Sequence, residues 1–297
     1  MQVVWTAASG WALVPSIRNH MDGPAMTNIN DFDAAITLVS QGDGVYLGET
    51  SPAFANFNGQ FGGITAALLM RAVLSNEKAQ GSPVSITVHY TAAVSPGPFT
   101  IRVRDIRRGR TLQHWAVEMD QGGKVTASAM IALAARQDSW GHAPVGMPAA
   151  PPYSEVQPFD TGNWKGWATQ YDFRFVTQNY PALGEPPFVP PRSAHSLVYM
   201  RHAVPRPLDF EGLTCMSDAF IVRMLQVRNT FPAMGTVALT THFHCTADML
   251  AAQGDQALLC SVDSSVFRDN FHDQSAQLWS HDGALLCTTH QIVWYAE

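Results

Sequence analysis

Three polar side chains in the second half of this chain stand where an apolar residue would pack better: Asp218, Thr236 and Gln291. Asp218 follows Ser217 and precedes an apolar run, Phe220, Ile221, Met224 and Leu225, whose spacing predicts a helix starting near the aspartate. Thr236 sits at the entry of an alternating strand that reaches His244. Gln291 interrupts an apolar strand near the end of the sequence. A carboxylate, a hydroxyl and an amide can together hold one water molecule, the carboxylate accepting its proton while the other two fix its position. General-base assistance of this kind is worth about 10²–10⁴-fold. No Gly-x-Ser-x-Gly elbow occurs, so a serine acyl-enzyme is not suggested and direct attack by water remains. Each residue also has a plainer reading, as a helix cap, a β-branched strand residue and a strand-edge hydrogen bonder. Placed at a helix N-terminus, Asp218 is expected to stay ionised, because about half a positive charge accumulates there.

The elements that must position these groups repeat. In the first half, Gln41-Gly42-Asp43-Gly44 separates the apolar segments Ile36 to Val39 and Val45 to Leu47 as a hairpin turn. Phe61-Gly62-Gly63 then opens a helix over Ile64 to Leu74 that is apolar most of the way round, as expected of a helix wrapped by a sheet. Paired glycines there let a backbone or a ligand approach closely. From Val84 the period changes to two, and strands follow through Leu133 around turns at Ser95-Pro96-Gly97-Pro98, Arg107 to Arg110 and Gln121-Gly122-Gly123. Ala143 to Pro158 is proline-rich and aperiodic and marks a boundary. Beyond it Trp167 to Val176 and His195 to Val204 read as strands, and Ala247 to Gln256 as a loop. Ile86-Thr87-Val88-His89-Tyr90 lines up with Leu239-Thr240-Thr241-His242-Phe243, and the turn at Gly123 with Asp282-Gly283. In that register Gln291 falls opposite Ile131, Thr236 opposite Pro83, and Asp218 within a residue or so of Gly62. Only the second copy keeps all three polar groups.

One helix followed by a run of antiparallel strands, occurring twice, is an α+β duplication. The expected organisation is an N-terminal tail over residues 1–30 without fixed structure, then a first repeat over 31–140. A Pro-rich linker over 141–163 and a second repeat over 164–297 follow.

Composition limits the alternatives. A net charge of −6 argues against broad nucleic-acid binding. No apolar run approaches the roughly 20 residues that span a bilayer. The four cysteines, Cys215, Cys245, Cys260 and Cys287, form no CxxC pair and read as buried thiols in a reducing cytoplasm. His242-x-His244-Cys245 invites a metal reading, but no third ligand has convincing spacing, so none is assigned.

With these motifs in place the chain resembles the double hotdog acyl-CoA thioesterases of the thioesterase II (TesB-like) type, from about Phe54 to Trp294. Phe61-Gly62-Gly63 resembles the start of that family's first hotdog helix, and Arg107-Arg108-Gly109-Arg110-Thr111 its Arg-x-Gly-Arg-Ser hairpin. Ser217-Asp218 matches the start of its second helix, and Asp282-Gly283 with Gln291 its last hairpin. The sequence departs from the family at Ala238-Leu239, where Asp-His is usual, and at Ile292, where Glu is usual. The resemblance implies a catalytic trio of Asp218, Thr236 and Gln291 acting on an acyl-CoA thioester, with no cofactor, in a homo-oligomer. Oxyanion donors are then expected either at Gly62-Gly63 or around Asp218, and Arg110 is a candidate for the coenzyme A phosphates, as a guanidinium suits them. Two rivals stay open: a hotdog enoyl-CoA hydratase or dehydratase, and an acyl-CoA-binding protein without turnover.

Overall fold

The computed structural model describes residues 30–162, 164–177 and 193–296. The tail expected over residues 1–30 therefore lies, apart from Asn30, outside the described residues, as does the whole Pro-rich segment 180–192. The chain opens with a short helix, α1 (Asp31–Ala35), and of the apolar segment expected over Ile36 to Val39 only Val39 enters the hairpin's first strand. The Asn30 side chain accepts a hydrogen bond from the Phe32 N–H and caps this helix, Asp31 and Asp33 favour its first turn, and Ile36 ends it. Strands β1 (Val39–Gly42) and β2 (Val45–Glu49) follow, then two short strands, β3 (Ala55–Asn56) and β4 (Gly59–Gln60). Next come α2 (Gly62–Leu74), β5 (Ser82–Tyr90), β6 (Pro98–Arg108), β7 (Leu112–Gln121) and β8 (Lys124–Ala134).

The second half rebuilds the same series. It contains β9 (Tyr171–Phe175), β10 (Ser196–His202), α3 (Phe210–Met216), α4 (Arg223–Arg228) and β11 (Met234–Phe243). After these come α5 (Ala247–Gln253), β12 (Leu258–Asp263), the two-residue β13 (Phe267–Arg268), β14 (Phe271–Trp279) and β15 (Leu285–Tyr295). The segment read as a loop over Ala247 to Gln256 is thus mostly helical. Thr246 caps it by accepting from the Met249 N–H, a local side-chain bond that hydrophobic periodicity does not reveal.

All the long strands join one antiparallel sheet in the order β1-β2-β6-β7-β8-β5-β11-β15-β14-β12-β10-β9. Read from the two ends toward the middle, that order is the same series twice, which is what duplication of one unit requires. The register agrees residue by residue: Ile86 pairs with Ile131 in the first unit and Leu239 with Gln291 in the second. Each unit has a bulge at the same place, between Pro83 and Ser85 in one and between Thr236 and Ala238 in the other. The units meet where β5 pairs with β11, and Thr87 lies opposite Thr240. Their hydroxyls share a hydrogen bond of 3.1 Å, and the pseudo-twofold axis passes through this pair.

Both helical segments lie on the inner face of the sheet. Ile64, Ala66, Ala67, Leu68, Leu69, Met70, Ala72 and Val73 of α2 are all buried, because the sheet covers one side of the helix and α3 the other. The two helices approach closely at Gly63, where a Cβ would lie 2.5 Å from the Cys215 carbonyl oxygen. Gly63→Ala is therefore expected to push α2 and α3 apart and to cost about 1–3 kcal/mol of stability in a denaturant titration. An unchanged unfolding midpoint would show that the backbone yields at no cost.

Beyond β8, part of the linker is strapped along β9. Arg174 donates to the carbonyls of Tyr153 and Val156 at 3.2 Å each, and its guanidinium stacks 3.9 Å from the Tyr153 ring centroid.

Candidate active site

The helix predicted to start near Asp218 begins only at Arg223, as α4, and a separate helix, α3, precedes the aspartate. Asp209 caps α3 by accepting from the Gly212 N–H at 2.7 Å, and the helix ends at Ser217, so Asp218 follows a helix C-terminus rather than heading a helix. Tight turns then carry the chain to α4, with Asp218 N–H bonded to the Cys215 carbonyl and Phe220 N–H to the Asp218 carbonyl. The apolar residues that suggested one continuous helix are there for burial. Ile221 and Leu225 pack with Phe159, Trp164 and Phe175, while the buried Arg223 donates to the Ile221 carbonyl and ties this segment to Ser196 of β10. The turn is anchored beneath by Ser217, whose hydroxyl shares a 2.8 Å hydrogen bond with Thr241 of β11.

Although no helix begins at Asp218, a different helix N-terminus meets its carboxylate. Asp218 Oδ2 lies 2.7 Å from where a Cβ on Gly62 would sit, so the carboxylate sits against the first turn of α2 and faces the Gly63 N–H. No side chain caps α2 at Phe61, which leaves first-turn N–H groups for other acceptors. Gln291, on the inner face of β15, also turns its side chain toward the Asp218 carboxylate. Thr236, at the bulge in β11, donates to Gln291 Oε1 at 2.9 Å. With that oxygen engaged, it is the Gln291 amide nitrogen that turns to the aspartate. Thr236, Gln291, Asp218 and the start of α2 are thus brought together, with Thr236 bonded to Gln291 and both Gln291 and the Gly63 N–H facing the carboxylate.

Asp218 and Gln291 are buried and Thr236 is half-buried. Burial raises the Asp218 pKa to about 7, against the opposing pull of the Gln291 and Gly63 N–H donors. The expectation of a firmly ionised carboxylate is thereby corrected: the α2 N-terminus does favour the anion, but loss of solvation outweighs it. The carboxyl is left with an affinity for protons suited to taking one from water near neutral pH.

Gly62 and Gly63 are thus brought to the trio, and Arg110 is not. Arg110 is exposed in the β6–β7 turn, beside the row in which Gln113, Leu133 and Pro83 lie side by side. The trio lies at the Tyr90 end of the central strands, and from Pro83 to Tyr90 an extended strand spans roughly 20 Å. The turn that flanks the trio's end of the sheet is instead the β12–β14 connection, because His272 of β14 pairs with Val293 and Val293 with Thr236. At the other end of β11, His244 bonds the Thr288 hydroxyl at 3.0 Å.

Residues 50–135 match the acyl-CoA thioesterase N-terminal domain, and residues 146–295 match the acyl-CoA thioesterase C-terminal domain. The chain belongs to the acyl-CoA thioesterase family. Its two helix-on-sheet units are a double hotdog, and the same fold occurs in solved relatives. A conserved protein of unknown function with a hot dog fold from Alicyclobacillus acidocaldarius is 30% identical, with a TM-score of 0.84 over 91% of this chain and 99% of that one. The tesB protein of Mycobacterium avium subs paratuberculosis is 20% identical, with a TM-score of 0.70 over 90% and 98%. Acyl-CoA thioesterase II TesB2 from Mycobacterium marinum is 19% identical, with a TM-score of 0.70 over 89% and 98%. Among curated proteins no sequence matches the chain.

In this acyl-CoA thioesterase family member, sequence reasoning overlooked a group of polar side chains around Asp218, with Tyr171 and Cys215 buried and Tyr90 half-buried. Tyr90 donates to the Gly62 carbonyl at 2.9 Å, and Tyr171 donates to Cys215 Sγ at 3.1 Å. Burial foremost, with the nearby Asp218 carboxylate adding to it, keeps both phenols and the Cys215 thiol protonated. One of these was open to detection, since the repeat register sets Tyr90 against Phe243, a hydroxyl present in only one copy. Tyr171 was not, because its only signal was strand alternation with Phe173 and Phe175.

Proposed function

We propose that this chain hydrolyses acyl-CoA, or a related acyl thioester, by direct attack of a water molecule held by Asp218, Thr236 and Gln291. The observation that carries this reading is the convergence of those three side chains at the N-terminus of α2, Thr236 bonded to Gln291 and Gln291 facing Asp218, in one unit only of a duplicated fold. Thr236, having donated to Gln291, keeps lone pairs that can accept from a water. The Gln291 amide has a second N–H to offer. Asp218 takes a proton as the water oxygen bonds to the thioester carbonyl carbon. The carbonyl oxygen becomes an oxyanion, favoured by the positive end of α2. Collapse of that intermediate breaks the C–S bond, and the proton held on Asp218 passes to the departing thiolate. The products are a carboxylic acid and free coenzyme A.

The test is thiol release across a panel of acyl-CoA chain lengths run beside an enoyl-CoA panel. Thiol release supports the proposal; hydration of the enoyl group without thiol release, or tight acyl-CoA binding without turnover, rejects it. Self-association, implied by the family resemblance, belongs to the same proposal and is checked by sedimentation.

Gln291→Ile separates site from scaffold, because the first unit carries Ile131 at the matching position and folds with it. The substitution is expected to leave the unfolding midpoint nearly unchanged and to lower thiol release about 10²-fold, the scale of one lost positioning donor. Activity retained within twofold would remove Gln291 from the site.

A further inference from the structure

The Tyr90 hydroxyl donates to the Gly62 carbonyl at 2.9 Å, and the Asp218 carboxylate, packed against Gly62, faces the Gly63 N–H. That carbonyl and that N–H belong to a single peptide group. The peptide therefore has a phenol bonded to its oxygen and a carboxylate facing its hydrogen. A donor on an amide oxygen draws electron density toward it and makes the N–H of the same amide a better donor, strengthening each bond in such a chain by about 10–30%. Packing leaves the groups little freedom. The Tyr90 ring carbon and hydroxyl lie 3.4 Å, and Asp218 Oδ2 lies 2.7 Å, from the same point, the position a Cβ on Gly62 would occupy.

The duplicated unit supplies an internal control. Tyr90 pairs with Ala127 and Phe243 with Cys287, so the two rings occupy matching places across the pseudo-twofold axis. The hydroxyl is present only on the strand beside Asp218. The titratable groups that face Asp218 are Tyr90 from β5, Tyr171 from β9 and Cys215 from α3, all held protonated by burial. Gln291 faces it from β15 as a neutral amide.

We propose that Tyr90 is a positioning residue for Asp218, its hydroxyl acting through the Gly62–Gly63 peptide to orient and strengthen the N–H that the carboxylate faces. The kinetic consequence rests on the reading of Asp218 as the base; the effect on the carboxyl itself does not. The decisive experiment titrates that carboxyl by ¹³C NMR in the full chain labelled at aspartate Cγ, its signal assigned by loss in Asp218→Asn. Without the hydroxyl, the Gly63 N–H stabilises the anion less and the proton is held more tightly. Tyr90→Phe is therefore expected to raise the titration midpoint by roughly 0.2–0.6 pH unit. Tyr171→Phe removes another hydroxyl whose charge would be felt by Asp218, but one bonded to Cys215 Sγ, and should leave the midpoint in place.

Equal midpoints in the wild type and Tyr90→Phe, or equal shifts in both phenylalanine variants, overturn the proposal. If Tyr90→Phe does not fold, 3-fluorotyrosine incorporated into the Tyr171→Phe background makes the Tyr90 phenol a stronger donor. The midpoint must then fall, and an unmoved or raised midpoint counts against the relay. Where thiol release is measured, the acid limb of kcat/KM should move with the titration, which a purely structural role for Tyr90 does not produce. Absence of thiol release from the wild type would remove the acyl-CoA reading and leave the carboxyl titration to decide this one.

Discussion

Asp218→Asn is expected to lower thiol release by about 10²–10⁴-fold and, above neutral pH, to make the protein more stable. The two effects have one origin. Burial raises the carboxyl pKa from 3.8 to about 7, so the ionised form is less at home in the folded protein than in the unfolded chain. The folded state holds the proton more tightly, and stability contributed by the protonated group is lost as pH climbs from the unfolded value to the folded one. Above about pH 7 the full penalty applies, with an upper limit near 4 kcal/mol from the size of that shift. A neutral amide of the same shape escapes the penalty and still offers an oxygen to the Gly63 N–H. It cannot take a proton from water. Thiol release and thermal unfolding, both measured at pH 8, should therefore move in opposite directions. A variant that loses stability together with activity would show Asp218 to be a structural hydrogen bonder.

The pH dependence of the unmodified protein gives the second large effect. With the carboxyl titrating at about 7, kcat/KM is expected to be level above pH 8 and to fall about tenfold for each pH unit below 7. At pH 5 that amounts to a loss of about 10²-fold. An aspartate with the ordinary value of 3.8 would leave the rate flat to about pH 5. The groups beside Asp218 do not confuse the reading, because Tyr90, Tyr171 and Cys215 are all shifted upward and remain protonated through this range. A kcat/KM profile with no acid limb between pH 5 and 7 would exclude Asp218 as the group that must be ionised.

Much of this architecture was written in local pattern. Alternation along Val84 to Tyr90 and Thr236 to His244, and a helix apolar on every face after Gly62-Gly63, were enough to define the unit. Aligning the two copies set Gln291 against Ile131 and Thr236 against Pro83, and the strand pairing and its two matching bulges have the same register. A strand fixes this so firmly because side chains alternate with a period of two, and a slip of one residue would turn every apolar side chain to the wrong face.

What the sequence by itself determined, then, was the duplicated α+β unit, its register, and which copy holds polar groups at apolar positions. Tertiary structure alone decided that the run around Asp218 breaks into α3, a turn and α4. Hydrophobic spacing reports burial, and here burial is supplied by Phe159, Trp164 and Phe175 from the linker side of the fold rather than by one helical stripe. Only the close crossing of α2 and α3 could bring the start of the first unit's helix to an aspartate of the second, and only enclosure could lift that carboxyl to about 7. Proton affinity depends on everything within a few ångströms, and those neighbours come from β5, β9, α3 and β15, segments that the chain order keeps far apart.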